Sequence, residues 1–286
     1  MLVDYHMHFE YGSYDEDWVK LFFQQAEKKG LHEIGITEHT HGFKEFKDLY
    51  YEELILDDSE VGQFQRKWLD NPKSKFVHTL DEYRDFINYL KSKGYPVKFG
   101  LEVCNFQNQE AVEKILRAYP FDYVIGSVHF LHGWAYDTAA IKDEWERQSL
   151  RDIYEWYTEE AEKLAAAGLY DALGHPFNIR LYRYFPSFDA APYLERVAHA
   201  MEQANMIVDL NTGTYYRYPV EEFSPYPDFM RAAYAHGLPV IITSDAHTPE
   251  DCGRYHEEAA AYAGSFGYQE QIRFTGRRGR TLVPLT

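Results

Sequence analysis

The sequence predicts an α/β barrel, in which parallel strands alternate with helices and end at one shared face. The first observation is that seven short β-rich runs alternate with helical patterns along the chain. The second is that nearly every run ends in His, Glu, Asp or Asn, which a closed barrel would bring to one site. The third is that no glycine-rich phosphate turn follows the first run, which disfavours an open doubly wound sheet.

Length and composition fit one globular domain. The 286 residues suit a single barrel, and we expect residues 1–286 to form one domain. With 45% hydrophobic and 26% charged residues, the chain can bury a large core. No apolar run approaches the ~20 residues of a membrane helix, and the N-terminus lacks a secretory signal pattern. Two isolated cysteines, Cys104 and Cys252, indicate a reducing, cytoplasmic location.

The net charge of −17 limits the partners that the protein can bind. Such a charge repels nucleic acid and anionic membranes, so neither is expected as a partner. A small anionic substrate in a local basic pocket is still compatible with it. The sequence leaves the oligomeric state open.

The elements follow one another in a regular order. The β-rich runs span residues 2–7, 34–37, 97–103, 123–128, 170–174, 207–210 and 240–243. Helical patterns occupy residues 15–29, 143–167 and 193–204. In the first, Trp18 and Phe22 are one helical turn apart, and Gly30 ends the pattern. Residues 40–78 are aromatic and charged and interrupt the rhythm, so we expect an insertion over the barrel mouth.

Metal-binding residue types concentrate at the ends of the runs. Six of the 13 histidines lie there, namely His6, His8, His39, His129, His175 and His247. The spacing of His6 and His8 aims both imidazoles at one side of a strand, and Asp245 with His247 repeats it. Glu102 can bridge two cations, since a carboxylate has two oxygens. Mixed imidazole and carboxylate ligands favour two or three divalent Zn, Mn or Fe ions.

Each of these residues has an ordinary structural interpretation when taken alone. Glu102 could be a paired buried carboxylate, and Asp245 could cap a helix. His41 and His132 lie just past the ends of runs, and we favour a structural role for them. The concentration of the others at strand ends makes a metal cluster the better interpretation.

Six short motifs, in their order along the chain, resemble those of the polymerase and histidinol phosphatase (PHP) superfamily. They are residues 4–8 (DYHMH), 36–39 (ITEH), 100–102 (GLE), 126–129 (GSVH), 174–176 (GHP) and 244–247 (SDAH). The resemblance implies a distorted (β/α)7 barrel with a two- or three-metal centre that hydrolyses phosphate esters. Residues 209–213 (DLNTG) and 244–251 (SDAHTPED) are similar to the histidinol-phosphatase branch, which removes phosphate from L-histidinol phosphate in histidine biosynthesis.

The resemblance also implies a role for individual residues. It places His6, His8, Glu102 and Asp245 on a first metal, Glu102, His129 and His175 on a second, and His39 and His247 on a third. Members of the family often have another histidine soon after the first pair, and this chain has none before His32. Glu10 could replace that ligand, or it could be an ordinary surface residue.

The predicted chemistry is attack on phosphorus by a hydroxide that bridges two metals. Glu102, Asp245 and His247 are therefore the expected catalytic residues, acting through the metal-bound hydroxide, and the general acid is left open. Arginines past the fifth and sixth runs suit phosphate binding, because a guanidinium bonds two phosphate oxygens at once. The expected substrate-binding residues are Arg217, Arg183, Arg180 and Asn211.

Two alternatives to histidinol phosphate stay open. The enzyme could act on another small phosphate ester, or on a nucleotide or a nucleic-acid end. The acidic charge argues against a polymer, since a basic track would be expected. A metal-binding module without activity is also possible, although the three arginines near the predicted site argue against it.

Overall fold

The strands are short and most of them run in parallel. The computed structural model describes residues 1–12 and 14–286. The strands are β1 (Leu2–Asp4), β2 (Leu31–Ile36), β3 (Val97–Phe99), β4 (Glu102–Cys104), β5 (Ile125–Ser127), β6 (Phe130–Leu131), β7 (Trp134–Ala135), β8 (Ala172–Leu173), β9 (Ile207–Asn211), β10 (Val240–Thr243), β11 (Glu270–Gly276) and β12 (Gly279–Pro284).

Helices connect these strands. The α-helices are α1 (Glu16–Lys28), α2 (Lys47–Glu53), α3 (Glu60–Leu69), α4 (Leu80–Ser92), α5 (Gln109–Arg117), α6 (Leu150–Ala167), α7 (Ala191–Gln203), α8 (Gly213–Arg217), α9 (Pro227–Ala235) and α10 (His256–Ser265). Short 3-10 helices occupy Thr40–Gly42, Lys44–Phe46, Ala139–Arg147, Asn178–Arg180 and Pro249–Asp251. None of the described helices has the length and apolar character needed to cross a membrane.

The parallel strands form two sheets, in the orders β1-β2-β3 and β10-β9-β8-β5-β4. The α/β class with parallel strands is thus confirmed, but the described residues form no continuous ring of paired strands. Two single parallel bridges join the sheets. After β1 and β10 the His8 amide donates to the Ala246 carbonyl at 2.8 Å, and the Glu102 amide of β4 donates to the Glu38 carbonyl, just after β2, at 3.3 Å.

The third predicted run is divided between the two sheets. Residues 97–103 were expected to form one strand, whereas β3 pairs with β2 and β4 pairs with β5. The chain changes sheet at Gly100, whose amide still donates to the Ile36 carbonyl at 2.9 Å. A side chain at this position would lie 2.5 Å from the ring of Tyr123, so the bend requires glycine.

A buried apolar cluster lies between the two sheets and is closed by a C-terminal hairpin. Its members are Val3, Tyr5, Tyr123, Ile125, Ala172, Ile207, Ile241, Ile272 and Phe274. The last two belong to β11, which pairs with β12 and which the sequence did not predict. The Phe274 ring stacks on Tyr123, with centroids 4.5 Å apart. Both sheets therefore turn one face toward a shared interior.

The helices cover the outer faces of the sheets, close to the predicted positions. Helix α1 begins after Asp15, whose carboxylate accepts from the Asp17 amide at 2.9 Å, and it buries Val19 and Phe22. Helix α6 begins at Leu150, later than predicted, because residues 139–147 form a kinked 3-10 segment. It ends at Gly168, whose φ of 64° suits a glycine cap.

Residues 40–78 contain α2 and α3 and pack beside the end of β4 and the turn between β6 and β7. The Tyr50 hydroxyl lies 3.2 Å from the Cys104 sulfur, and the Gln65 side-chain amide donates to the Gly133 carbonyl at 2.9 Å. Both cysteines, Cys104 and Cys252, are free and buried. That the whole chain is one domain with this segment as an insertion stays a prediction.

Candidate metal centre

The predicted ligands meet at the carboxyl ends of the parallel strands. His6 and His8 follow β1, His39 follows β2, His129 follows β5 and His175 follows β8. Glu102 lies just past the end of β3 and is the first residue of β4, while Asp245 and His247 follow β10. Except for His39 and His247, which are partly exposed, these residues are buried. Because the strands are parallel, their ends bring distant parts of the sequence to one place.

Glu102 lies at the centre of the cluster. Its Oε1 atom is 3.1 Å from His175 Nε2, 3.3 Å from His6 Nε2 and 3.5 Å from His129 Nε2. Its Oε2 atom is 3.2 Å from His39 Nε2. One carboxylate thus faces imidazoles from four different strand ends. The two oxygens face different histidines, as a bridging ligand requires.

Asp245 forms a second carboxylate centre. Its Oδ1 atom lies 3.3 Å from His8 Nε2, 3.7 Å from His247 Nδ1 and 3.9 Å from His6 Nε2. The backbone of Asp245 has a φ of 51°, and that of His175 has a φ of 30°. Left-handed backbone at a residue other than glycine is strained, and such strain concentrates at functional sites.

The residues present fit a metal centre. Several buried ring nitrogens and one carboxylate oxygen have no hydrogen-bond partner, although such groups are nearly always paired. They are His6 Nε2, both ring nitrogens of His8, His39 Nδ1, His175 Nδ1 and Glu102 Oε2. Ligand atoms lie within 4.8 Å of one another in the sets His6/Glu102/His175, His6/His8/Asp245 and His8/His39/His247. This donor set suits divalent transition metals.

The charges of the cluster favour a bound cation. Burial alone would raise the pKa of Glu102, but the neighbouring His6, His129 and His39 hold this pKa well below its usual value. Burial would lower the pKa of His39, yet Glu10 and Glu102 outweigh it and raise the pKa to about 9. Burial instead lowers the pKa values of His8, His129 and His247, which keeps these imidazoles neutral, as a metal ligand must be.

Asp209 supports two of the histidines and was not among the predicted site residues. Its Oδ2 atom accepts from His6 Nδ1 at 2.9 Å and from the His175 amide at 3.0 Å. The Thr243 hydroxyl donates to Oδ1 at 2.5 Å. Asp209 therefore fixes the ring of His6 with Nε2 toward Glu102. Its position two residues before Asn211 was the available signal, since both point to one side of β9.

Asp4 connects the first and last strands of the site. It accepts from the Ser244 amide at 3.1 Å and from the Ser244 hydroxyl at 2.5 Å. It also accepts from the Gly253 amide at 3.3 Å. This buried carboxylate holds the loop that carries Asp245 against β1. The sequence showed Asp4 within the first motif but gave no role for it.

Glu10 lies among three histidines at the edge of the cluster. Its Oε2 atom is 3.4 Å from His39 Nδ1 and 3.7 Å from His41 Nε2, and Oε1 is 3.4 Å from His247 Nε2. The structure thus brings together the residues proposed for a third metal. His41, for which the sequence favoured a structural role, lies in the same group of residues. The ring of His132 instead stacks on Trp156.

The four predicted substrate residues have different surroundings. The guanidinium of Arg217 contacts the Asp245 carboxylate, lies 3.0 Å from the Asp245 carbonyl and 2.5 Å from His247 Nδ1, and faces the cluster. Asn211 is buried and donates to Asp245 Oδ2 at 3.1 Å. Arg180 pairs with Glu222 at 2.9 Å, outside the cluster. Arg183 is exposed. The substrate roles of all four stay predictions.

Two adjoining cavities open beside the cluster. The smaller, of about 80 Å³, is lined by Glu102, Arg217 and other cluster residues, and the larger, of about 430 Å³, reaches the 40–78 segment. Both are lined by His39, His129, Asp137 and Tyr218. Lys75 lines the larger one and lies over the Trp68 ring, 4.2 Å from its centroid. Among the described residues, the Asp137 carboxylate has no ion-pair partner.

The class that the fold and site define is a parallel α/β protein with a candidate metal centre of buried imidazoles and carboxylates at its strand ends. Residues 4–213 match the family described as the PHP domain. The chain belongs to the PHP domain family, which confirms the resemblance read from the six motifs.

Relatives and solved structures agree with this family. The chain is 34% identical over 192 residues to a protein of Deinococcus radiodurans named probable histidinol-phosphatase, covering 65% of this chain and 72% of that one. A Clostridium acetobutylicum protein of the same name is 25% identical over 199 residues, covering 67% and 75%. The fold is similar to that of histidinol phosphate phosphatase from Lactococcus lactis, complexed with Zn, L-histidinol and phosphate, at a TM-score of 0.69 and 20% identity over 96% of both chains.

Proposed function

We propose that this protein is a metal-dependent phosphomonoesterase that hydrolyses L-histidinol phosphate to L-histidinol and phosphate in histidine biosynthesis. The observation that carries the proposal is the convergence of imidazoles on the two oxygens of Glu102, with Arg217 facing the same cavity. Two relatives are named probable histidinol-phosphatase, and the structure from Lactococcus lactis is complexed with Zn, L-histidinol and phosphate. The barrel that we expected would correspond to the two sheets around their shared interior.

Two or three divalent ions would occupy the cluster, with zinc, manganese or iron as candidates. His6, His8, Glu102 and Asp245 would hold the first ion, and Glu102, His129 and His175 the second. His39 and His247, with Glu10, would hold the third. Bound metals would supply Lewis acidity, which activates water and neutralises phosphoryl charge.

The protein residues position these groups and the substrate. Asp209 orients His6, and Asp4 holds the loop of Asp245 in place. Arg217 would bind phosphoryl oxygens through its free donors, since the guanidinium faces the small cavity. The Asp137 carboxylate would bind the substrate ammonium group, because it lines both cavities.

The test is a steady-state comparison of phosphate esters with metal-reconstituted protein. We expect kcat/KM for histidinol phosphate to exceed that for sugar phosphates, nucleotides and a short oligonucleotide. A preference for the oligonucleotide end would overturn the substrate assignment, and turnover of none of them would overturn the activity. Glu102→Gln should abolish turnover, whereas the exposed Glu110→Gln on α5 serves as the matched control.

A further inference from the structure

A chain of buried hydrogen bonds leads from His129 to the 40–78 segment. His129 Nδ1 lies 3.2 Å from the sulfur of Cys104, which lies 3.2 Å from the Tyr50 hydroxyl. That hydroxyl lies 2.8 Å from the Thr40 hydroxyl. Cys104, Tyr50 and Thr40 are all buried, and Cys104 and Tyr50 also line the larger cavity beside the cluster.

The geometry of His129 determines which of its ring nitrogens carries the proton when a metal is bound. Its Nε2 atom faces Glu102 Oε1 at 3.5 Å and His175 Nε2 at 3.3 Å, within the cluster. A metal on Nε2 requires the proton on Nδ1, because a neutral imidazole carries one proton. That proton needs an acceptor, and the Cys104 sulfur is the group that faces it. The Tyr50 and Thr40 hydroxyls contact the same sulfur, at 3.2 Å and 3.9 Å, and hold it in place beside His129.

We propose that Cys104 is a positioning residue that fixes the tautomer and orientation of His129 for metal binding. The inference rests on the proposed metal site. Metal-binding histidines usually donate their other ring nitrogen to a carboxylate, a carbonyl or water, as His6 does with Asp209. At His129 a thiol replaces that acceptor, and sulfur accepts a hydrogen bond only weakly. The ion on His129 is therefore held less tightly than the ion on His6, and it exchanges first.

The inference also gives the 40–78 segment a role in the site. Tyr50 lies in α2, and Thr40 directly follows His39, so both hydroxyls belong to the part of the chain that interrupts the alternation. The Tyr50 and Thr40 hydroxyls fix the position of the Cys104 thiol through hydrogen bonds. Removal of the Tyr50 hydroxyl in Tyr50→Phe should weaken metal binding at His129, although less than loss of the sulfur itself.

The experiment compares three substitutions of Cys104 in the full-length protein. Competition of zinc with a chromophoric chelator gives the affinity for each bound ion. Cys104→Ala and the similarly sized Cys104→Val lack an acceptor, so affinity for the weaker ion should fall about 10-fold, the lower end of the range for such partners because sulfur accepts weakly. Cys104→Ser retains an acceptor oxygen and should stay near the wild-type affinity. Cys252→Ala, the other buried cysteine, is the matched control and should leave both affinities unchanged.

A second readout follows the tautomer directly. In nitrogen-15 spectra of the zinc-loaded protein, the Nδ1 proton of His129 should be observed and protected from exchange in wild type and Cys104→Ser. It should exchange rapidly in Cys104→Ala and Cys104→Val. Wild-type zinc affinity in Cys104→Ala and Cys104→Val would overturn the role of Cys104 and leave the proposed metal site standing. A loss of zinc affinity in Cys104→Ser as large as that in Cys104→Ala would do the same. A wild-type protein that binds no zinc overturns the metal site and this inference together.

Discussion

Replacement of Arg217 by alanine separates substrate binding from support of the metal cluster. The guanidinium donates to the Asp245 carbonyl at 3.0 Å, contacts the Asp245 carboxylate and lies 2.5 Å from His247 Nδ1. Its side chain is 26% exposed, and it faces the cavity of about 80 Å³. It can therefore bind a phosphoryl group while it keeps its contact with Asp245.

The two roles predict effects of different size. Loss of a charge-assisted phosphoryl contact that tightens in the transition state should cost about 3 kcal/mol, or roughly a hundredfold in kcat/KM. Loss of a fully buried ion pair costs about 3–5 kcal/mol of stability. Here the cost should be nearer 1 kcal/mol, because Arg217 is partly exposed and Asn211 still donates to Asp245. Activity should therefore fall much more than stability.

The assay measures kcat/KM for histidinol phosphate, bound metal by elemental analysis and the midpoint of thermal unfolding on the same samples. Arg217→Lys should recover part of the loss, since it keeps the charge but not the planar fork. Arg231→Ala on α9 removes an exposed arginine paired with Asp228 and is the control. An unchanged kcat/KM in Arg217→Ala, or a loss that added metal restores, would refute the phosphate-binding role.

Three further perturbations test other parts of the site. Glu102→Gln should lose two ions together on elemental analysis, because one carboxylate faces both ligand groups; full occupancy would contradict its bridging role. His39→Ala and His247→Ala should each weaken binding of the third metal ion without removing the two ions at Glu102. Glu10→Ala should have the same effect if its carboxylate is a ligand, and unchanged metal occupancy in this variant would show that Glu10 is not a ligand. Glu38 is buried, and burial raises its pKa from 4.5 to about 8, so the folded state binds the proton more tightly than the unfolded state. The free energy of unfolding of the wild type should therefore decrease from about pH 5 to about pH 8. Glu38→Gln keeps the acceptor for the Phe9 amide and should be more stable than the wild type by roughly 2–4 kcal/mol above pH 8. Urea unfolding with chelator present, at pH 5 and pH 8.5, measures this difference, and equal curves at both pH values would show that Glu38 is not desolvated.

The sequence predicted which residues lie together at the strand ends better than it predicted the sheets. His6, Glu102, His175 and Asp245 were recognisable because each stands at the end of a β-rich run, and parallel strands bring such ends together. The split of the third run was not predictable from its residues, since Val97 to Val103 reads as one continuous strand. Only the packing of Tyr123 against Gly100 shows why the chain bends there.

The supporting residues were harder to predict than the ligands. Asp209 and Asp4 act through hydrogen bonds to other side chains, and such partners have no fixed spacing in sequence. Cys104 gave no signal beyond its isolation, because a buried thiol is usually only a packing residue. Asp137 lies in a connecting segment, and only the cavities show where it faces.

The closure of the apolar interior by the C-terminal hairpin has a consequence for biosynthesis. Asp4 and Ser244 are hydrogen-bonded although they are 240 residues apart, and Phe274 of the hairpin packs on Tyr123. Both the metal cluster and the buried apolar interior therefore depend on residues between Ser244 and Phe274. Contacts of such high sequence separation form late and slowly in folding. A chain in which residues 240–247 have not yet packed against β1 would therefore carry His6 and His8 without Asp245. We expect the proposed site to load metal only after that late contact has formed.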